Sequence, residues 1–173
     1  IIFADKQFGP ASFDLRLGTE FKFFRQSQVA SIDVIPEDKI KKRATEAKIA
    51  RSIFTYTSSP GEPFVFHPNQ FVLASTVEYL ELPCDVAGIL DGRSTWGRFG
   101  LQVHSTAGFV DPGYAGHLTF EMLNMGSVPI SMPPGVRIGQ ISFYRLTHDT
   151  AIPYYLKREK KYLGTKGTGE GKL

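Results

Sequence analysis

Between Asp91 and Asn124 the chain reads DGRSTWGRFGLQVHSTAGFVDPGYAGHLTFEMLN, a run whose side chains suit anion binding and proton transfer. Arg93 and Arg98 place two guanidiniums around the Ser94-Thr95 hydroxyl pair, between Gly92 and Gly97. Hydroxyl residues at the start of a short helical turn can cap it, and the free N–H groups of such a turn, with guanidiniums alongside, make a cradle for phosphate. The run is not a Walker A loop, because only three residues separate Gly88 from Gly92 and arginine stands where lysine is required. The plain alternative is a glycine-rich turn carrying ordinary surface arginines.

Two acids follow the cradle. Asp111 opens the turn Asp111-Pro112-Gly113-Tyr114, and starting a turn is sufficient reason for an aspartate there. Glu121 is more informative. In the predicted strand HLTFEML, a period of two puts Leu118, Phe120 and Met122 on one face and His117, Thr119, Glu121 and Leu123 on the other. Glu121 therefore points away from the apolar side, either into solvent or into a pocket or subunit interface where it could serve as a general base. The histidines, His67, His104, His117 and His148, show no metal-ligand spacing, and neither H-E-x-x-H nor H-x-E with P-C-x-x-C occurs. A catalytic zinc is therefore not expected. Cys84 is the only cysteine, which excludes an internal disulfide and a thiolate metal cluster and fits a reducing compartment.

The elements that must position these groups read as β structure. Short stretches rich in Phe, Val and Ile, broken by Gly and Pro, predict strands over 64–66, 70–75, 77–82, 87–90, 117–123, 129–131 and 140–146. Turns are expected at 59–61, 111–113 and 133–135. One helix is expected over 36–54, where Pro36 precedes acidic Glu37 and Asp38 and a thin apolar stripe recurs at helical spacing. The stretch FKFFRQ at 21–26 mixes bases with aromatics as a single-strand binder would, but its alternating phenylalanines are read as core. With 173 residues, 42% of them hydrophobic and 21% charged, the chain suits one globular domain, spanning 1–163, with a Gly-rich tail over 164–173 that lacks apolar anchors. The net charge of +3 favours anionic partners without choosing among nucleotide, nucleic acid and membrane. No apolar run is long enough to span a bilayer and the opening IIFADKQFGP is not a signal peptide, so a soluble cytoplasmic protein is expected. Because position 1 is not Met, a few native residues are expected to be missing.

Taken in order, Gly92-Arg93-Ser94-Thr95-x-x-Arg98, His104-x-Thr-Ala-Gly, Asp111-Pro-Gly-Tyr-x-Gly and Leu-Thr-x-Glu121 closely resemble the dCTP deaminase family. Supporting matches lie at 10–18, 61–76 and 133–143 and at Lys161-Tyr162. The resemblance implies a distorted β-barrel or jelly-roll of the trimeric dUTPase-like type, assembled as a homotrimer with active sites between subunits, and a flexible C-terminal arm. It implies that Arg93, Ser94, Thr95 and Arg98 bind the triphosphate or order the site, with Tyr154 and Lys161 of the arm, and that Asp111 stands near the sugar. Glu121 would be the general base for water attacking C4 of cytosine, that water being held by Ser94, Arg98 and the Ala107 carbonyl. Mg²⁺ would accompany the triphosphate, zinc would not be needed, and dTTP is a candidate inhibitor. Neither a nucleic acid nor a membrane is an expected partner. The activity taken first is deamination of dCTP to dUTP; the alternative is a bifunctional enzyme that continues to dUMP and diphosphate, and a third reading is a non-catalytic nucleotide- or nucleic-acid-binding barrel. Thr165 departs from the glutamine of many members at this place in the arm, which weakens the expected phosphate contact of the tail.

Overall fold

The computed structural model describes residues 5–25, 39–59, 61–158 and 160–169. Ten strands are described: β1 (Phe13–Phe24), β2 (Ile53–Thr57), β3 (Phe64–Phe66), β4 (Phe71–Glu81), β5 (Val86–Gly92), β6 (Leu101–Gln102), β7 (Phe109–Val110), β8 (Ala115–Asn124), β9 (Ile130–Met132) and β10 (Arg137–Arg145). Two α-helices accompany them, α1 (Lys39–Ser52) and α2 (Ser94–Gly97), with a 3₁₀ turn at Tyr154–Leu156. The main sheet runs β6-β8-β4-β1-β10-β5-β7, with β2 added on β1, and β3 and β9 pair separately. This is the expected all-β architecture.

β1 joins the two halves of the main sheet. Its first half pairs with β10 and its second half with β2 and β4, and the register shifts between Leu17 and Phe21 where it passes from one partner set to the other. Gly18 sits in that interval, and a Cβ there would stand 2.8 Å from the Ser75 carbonyl oxygen, so the two strands can approach only without a side chain. Leu15, Leu17 and Phe21 are fully buried, and Phe21 stacks on Phe64 with ring centroids 4.1 Å apart. The reading of the phenylalanines at 21–24 as core is right for Phe21; Gln26 lies outside the described residues.

Where strands were expected over 70–75 and 77–82 there is one strand, β4, with a register shift between Ser75 and Tyr79 in its pairing with β8. The buried Thr76 hydroxyl fills this irregularity, donating to the Glu78 carbonyl at 2.7 Å and accepting from Leu118 N–H at 3.0 Å. Glu78 itself is buried against Arg16, with Oε1 2.6 Å from Nε. The helix expected over 36–54 is α1, which stops at Ser52; 36–38 lie outside the described residues. Ile53 and Phe54 leave the helix because they pair with Phe24 and Phe23 of β1, a β contact that the helical stripe did not anticipate.

β8 carries the predicted alternation through its whole length: Leu118, Phe120, Met122 and Asn124 are buried, while His117, Thr119, Glu121 and Leu123 are only partly covered. Phe120 is therefore the anchor directly beside Glu121. Its replacement in Phe120→Ala is expected to destabilise the fold by about 3–5 kcal/mol, read as a lower midpoint in chemical denaturation at fixed protein concentration. An unchanged midpoint would show that this face of β8 is not the core.

Candidate active site

The solvent-side face of β8 forms one wall of a cavity of about 320 Å³, a volume suited to a small molecule. His117, Thr119 and Glu121 project from that wall, and Ala107, Asp111 and Tyr154 complete the surroundings. Four of the residues singled out in the sequence, Ala107, Asp111, Glu121 and Tyr154, thus come together in one place.

Glu121 is set from both sides. Its backbone N–H donates to the Val103 carbonyl at 3.0 Å, and its carboxylate Oε2 accepts from Ser105 N–H at 3.1 Å. Among the described residues Oε1 has no protein partner, so one oxygen is oriented and the other remains available for proton exchange. The loop that carries Ala107 is packed as closely. Gly108 accepts from Leu90 N–H at 2.6 Å, and a Cβ on Gly108 would stand 2.6 Å from the Leu90 carbonyl, so only glycine lets the loop lie against β5.

Asp111 begins the predicted turn, with Gly113 at φ 77° and Tyr114 N–H donating to the Asp111 carbonyl at 3.2 Å. Its side chain does more than start the turn: Oδ2 meets Lys157 Nζ at 2.6 Å. The hydrogen bond to Asp111 raises the Lys157 pKa, so this ammonium is stabilised in its charged form. Burial pushes the nearby Tyr114 hydroxyl well above its usual range, and that hydroxyl donates to the His117 carbonyl at 2.8 Å.

The cations lie elsewhere in the chain. Ser94, Thr95 and Arg98 are exposed on or beside α2, and none of them, nor Arg93, lines the cavity. The expected helical turn is present, but its N-cap is Arg93 with no side-chain cap, and the two hydroxyls stand inside the turn and do not cap it. Arg93 is braced from below: Asp14 of β1 holds its Nε at 3.1 Å and takes Arg137 Nη1 at 3.0 Å on its other oxygen. Trp96 Nε1 donates to the Arg137 carbonyl at 2.8 Å, which ties α2 to β10. Lys161 is half-buried and is not among the residues lining the cavity.

The described part of the glycine-rich tail makes contacts with the barrel. Gly164 N–H donates to the Ala115 carbonyl at 2.7 Å and His117 N–H to the Thr165 carbonyl at 3.1 Å, extending β8 sideways. Thr168 is buried, its N–H 2.8 Å from Glu20 Oε1 and its hydroxyl 2.8 Å from the Glu20 carbonyl. Gly169 N–H reaches Thr119 Oγ1 at 3.0 Å. Tyr162, Thr165 and Gly169 therefore line the cavity as well. The period of two places His117 and Thr119 beside Glu121, but nothing in the tail's composition signals these anchors, which are backbone groups, two hydroxyls and the Glu20 carboxylate. Residues 170–173 lie outside the described residues.

A family model described as dCTP deaminase-like matches residues 1–146. A protein of Mycobacterium sp. (strain KMS) named "dCTP deaminase, dUMP-forming" is 43% identical over 166 residues, covering 95% of this chain and 82% of that protein. A protein of Dictyoglomus turgidum with the same name is 42% identical over 171 residues, covering 97% of this chain and 81% of its own length. Among solved structures, 2'-deoxycytidine 5'-triphosphate deaminase from Agrobacterium tumefaciens superposes with a TM-score of 0.62 at 26% identity, over 86% of this chain and 43% of that one. The chain thus spans most of the length of these curated relatives and less than half of the solved one.

The tail contacts generate a test that needs no ligand. Removing the Glu20 carboxylate deletes a charge-assisted hydrogen bond to the Thr168 amide, so Glu20→Ala is expected to speed tryptic cleavage after Lys166 about tenfold in the free protein. Equal cleavage rates in the two proteins would show that Glu20 does not hold the tail.

Proposed function

The chain belongs to the dCTP deaminase-like family, and on that premise we propose that it hydrolyses dCTP twice, first to dUTP and ammonia and then to dUMP and diphosphate. The observation that carries the reading is the Glu121 carboxylate, oriented by Ser105 N–H on the wall of a small-molecule cavity. A carboxylate there repels phosphate, so it suits a site that needs a proton acceptor better than a barrel that only binds phosphate chains. On sequence alone, deamination ending at dUTP ranks first. Relatives named dUMP-forming, at 43% and 42% identity, favour the alternative.

In the first step Glu121 takes a proton from water as the oxygen attacks C4 of the cytosine ring. The carboxylic acid so formed gives that proton to the ring nitrogen N3; the carboxylate then takes the proton of the new C4 hydroxyl and passes it to the exocyclic amine, the bond from C4 to that amine breaks as the C4 carbonyl forms, and ammonia leaves. The Ala107 carbonyl, in the same cavity, is suited to accept a hydrogen bond from the attacking water. In the second step water cleaves the bond between the first and second phosphates, with Asp111 placed to order the sugar or that water. Ser94, Arg98, Arg93 and Thr95 would bind the triphosphate and the attacking water, with Tyr154 and Lys161 of the arm alongside.

Because the hydroxyl and guanidinium groups do not line the cavity of their own chain, the complete site is proposed to form where α2 of a second subunit meets the cavity, within a homotrimer. In this reading Mg²⁺ is carried with the nucleotide by phosphate oxygens and water, and the deamination routes no step through zinc. Bound with the nucleotide, such an ion would neutralise phosphate charge.

Two outcomes follow. Glu121→Gln, nearly isosteric but unable to accept the proton, should keep dCTP binding and lose at least about a hundredfold in ammonia release; retained turnover would remove Glu121 from the base role. Mixed trimers refolded from Glu121→Gln and Arg98→Ala chains, each inactive alone, should regain part of the activity, because some sites then draw an intact residue from each chain. No recovery would place each site within a single chain.

A further inference from the structure

We propose that Lys157 is a positioning residue for the second hydrolysis, holding the Asp111 carboxylate by one oxygen so that the other faces the sugar and the attacking water. The inference rests on the two-step reading above, and it concerns a lysine outside every motif of the sequence analysis.

Two turns are locked together around this pair. The Tyr154 N–H donates to the Pro112 carbonyl at 2.8 Å, which joins the 3₁₀ turn at Tyr154–Leu156 to the Asp111 turn. Gly113 lies so close that a Cβ there would stand 2.7 Å from Pro153 Cβ and 3.0 Å from Tyr155 Cδ1. No side chain fits between the turns, so the segment carrying Lys157 is registered against the segment carrying Asp111. The Lys157 ammonium then spans the junction, 2.6 Å from Asp111 Oδ2 and 5.5 Å from the centroid of the Tyr154 ring. Tyr154 lines the cavity with Asp111, and Lys157 does not. The lysine therefore acts on the site through its two neighbours.

The chemistry matches this placement. A carboxylate has two oxygens and several lone pairs. One ammonium on Oδ2 fixes the rotation of the group and leaves Oδ1, which has no partner among the described residues, as an acceptor of settled direction. Deamination at C4 makes no demand on that acceptor, whereas cleavage of the phosphate chain needs the sugar and a water in fixed relation to it. Loss of Lys157 should therefore separate the two steps.

The test is a single-turnover reaction with the enzyme in excess over dCTP, stopped when the wild type has formed one dUMP for each ammonia. In Lys157→Met the ratio of dUMP to ammonia is expected to fall at least tenfold with dUTP accumulating, and Lys157→Arg is expected to restore it. Lys157→Gln, which keeps polarity without charge, is read beside the methionine variant so that a folding defect in one does not decide the result. A ratio of one in both neutral variants, whatever their absolute rates, overturns the role of Lys157 while leaving the two-step reading intact. A wild type that releases dUTP and forms no dUMP overturns that reading and the inference with it.

Discussion

The alternation of side chains along β8 is the constraint from which the rest follows. Phe120 and Met122 are fully buried, and their burial excludes any register that would turn the other face of the strand inward; in its pairing with β4, Leu73 stands opposite Glu121. A slip by one residue would drive the carboxylate into the core and expose a phenylalanine, at a cost no surface contact could offset. The same hydrophobic packing that stabilises the barrel therefore delivers His117, Thr119 and Glu121 to one wall of the cavity. Position comes from the core, and orientation comes from the loop 103–108, through Val103 O and Ser105 N.

Charge is divided to suit the proposed chemistry. Within one chain the acids lie in the cavity, while the phosphate-binding candidates Arg93 and Arg98 lie on and beside α2, away from it. Under the proposed assembly, α2 of a second copy would bring the two sets together. Asp14, shared between Arg93 and Arg137, orders one of those cations before any phosphate arrives. Preorganisation of this kind lowers the conformational entropy lost on binding.

Much of this was legible in the sequence where local patterning decides the structure. The faces of β8, the Asp111 turn and the helical turn after Gly92 all follow from periods and turn residues that act over a few positions. The pattern of the long β1 does not signal a strand, because Gly18 and interleaved charges interrupt it; its determinant is close approach to Ser75, 57 positions away along the chain. Composition predicts a free tail and does not register the hydrogen bonds that its backbone makes at 164–169. Lys157 carries no motif at all, and its pairing with Asp111 depends on two turns brought together by the fold.

The central claim is that one cavity carries dCTP through both hydrolyses without releasing dUTP, and isotope dilution tests it directly. Labelled dCTP is turned over in the presence of a large pool of unlabelled dUTP. If the intermediate stays in the cavity between steps, label passes to dUMP undiminished and little labelled dUTP enters the pool. Label trapped as dUTP, with dUMP arising only from the unlabelled pool or not at all, would contradict the account.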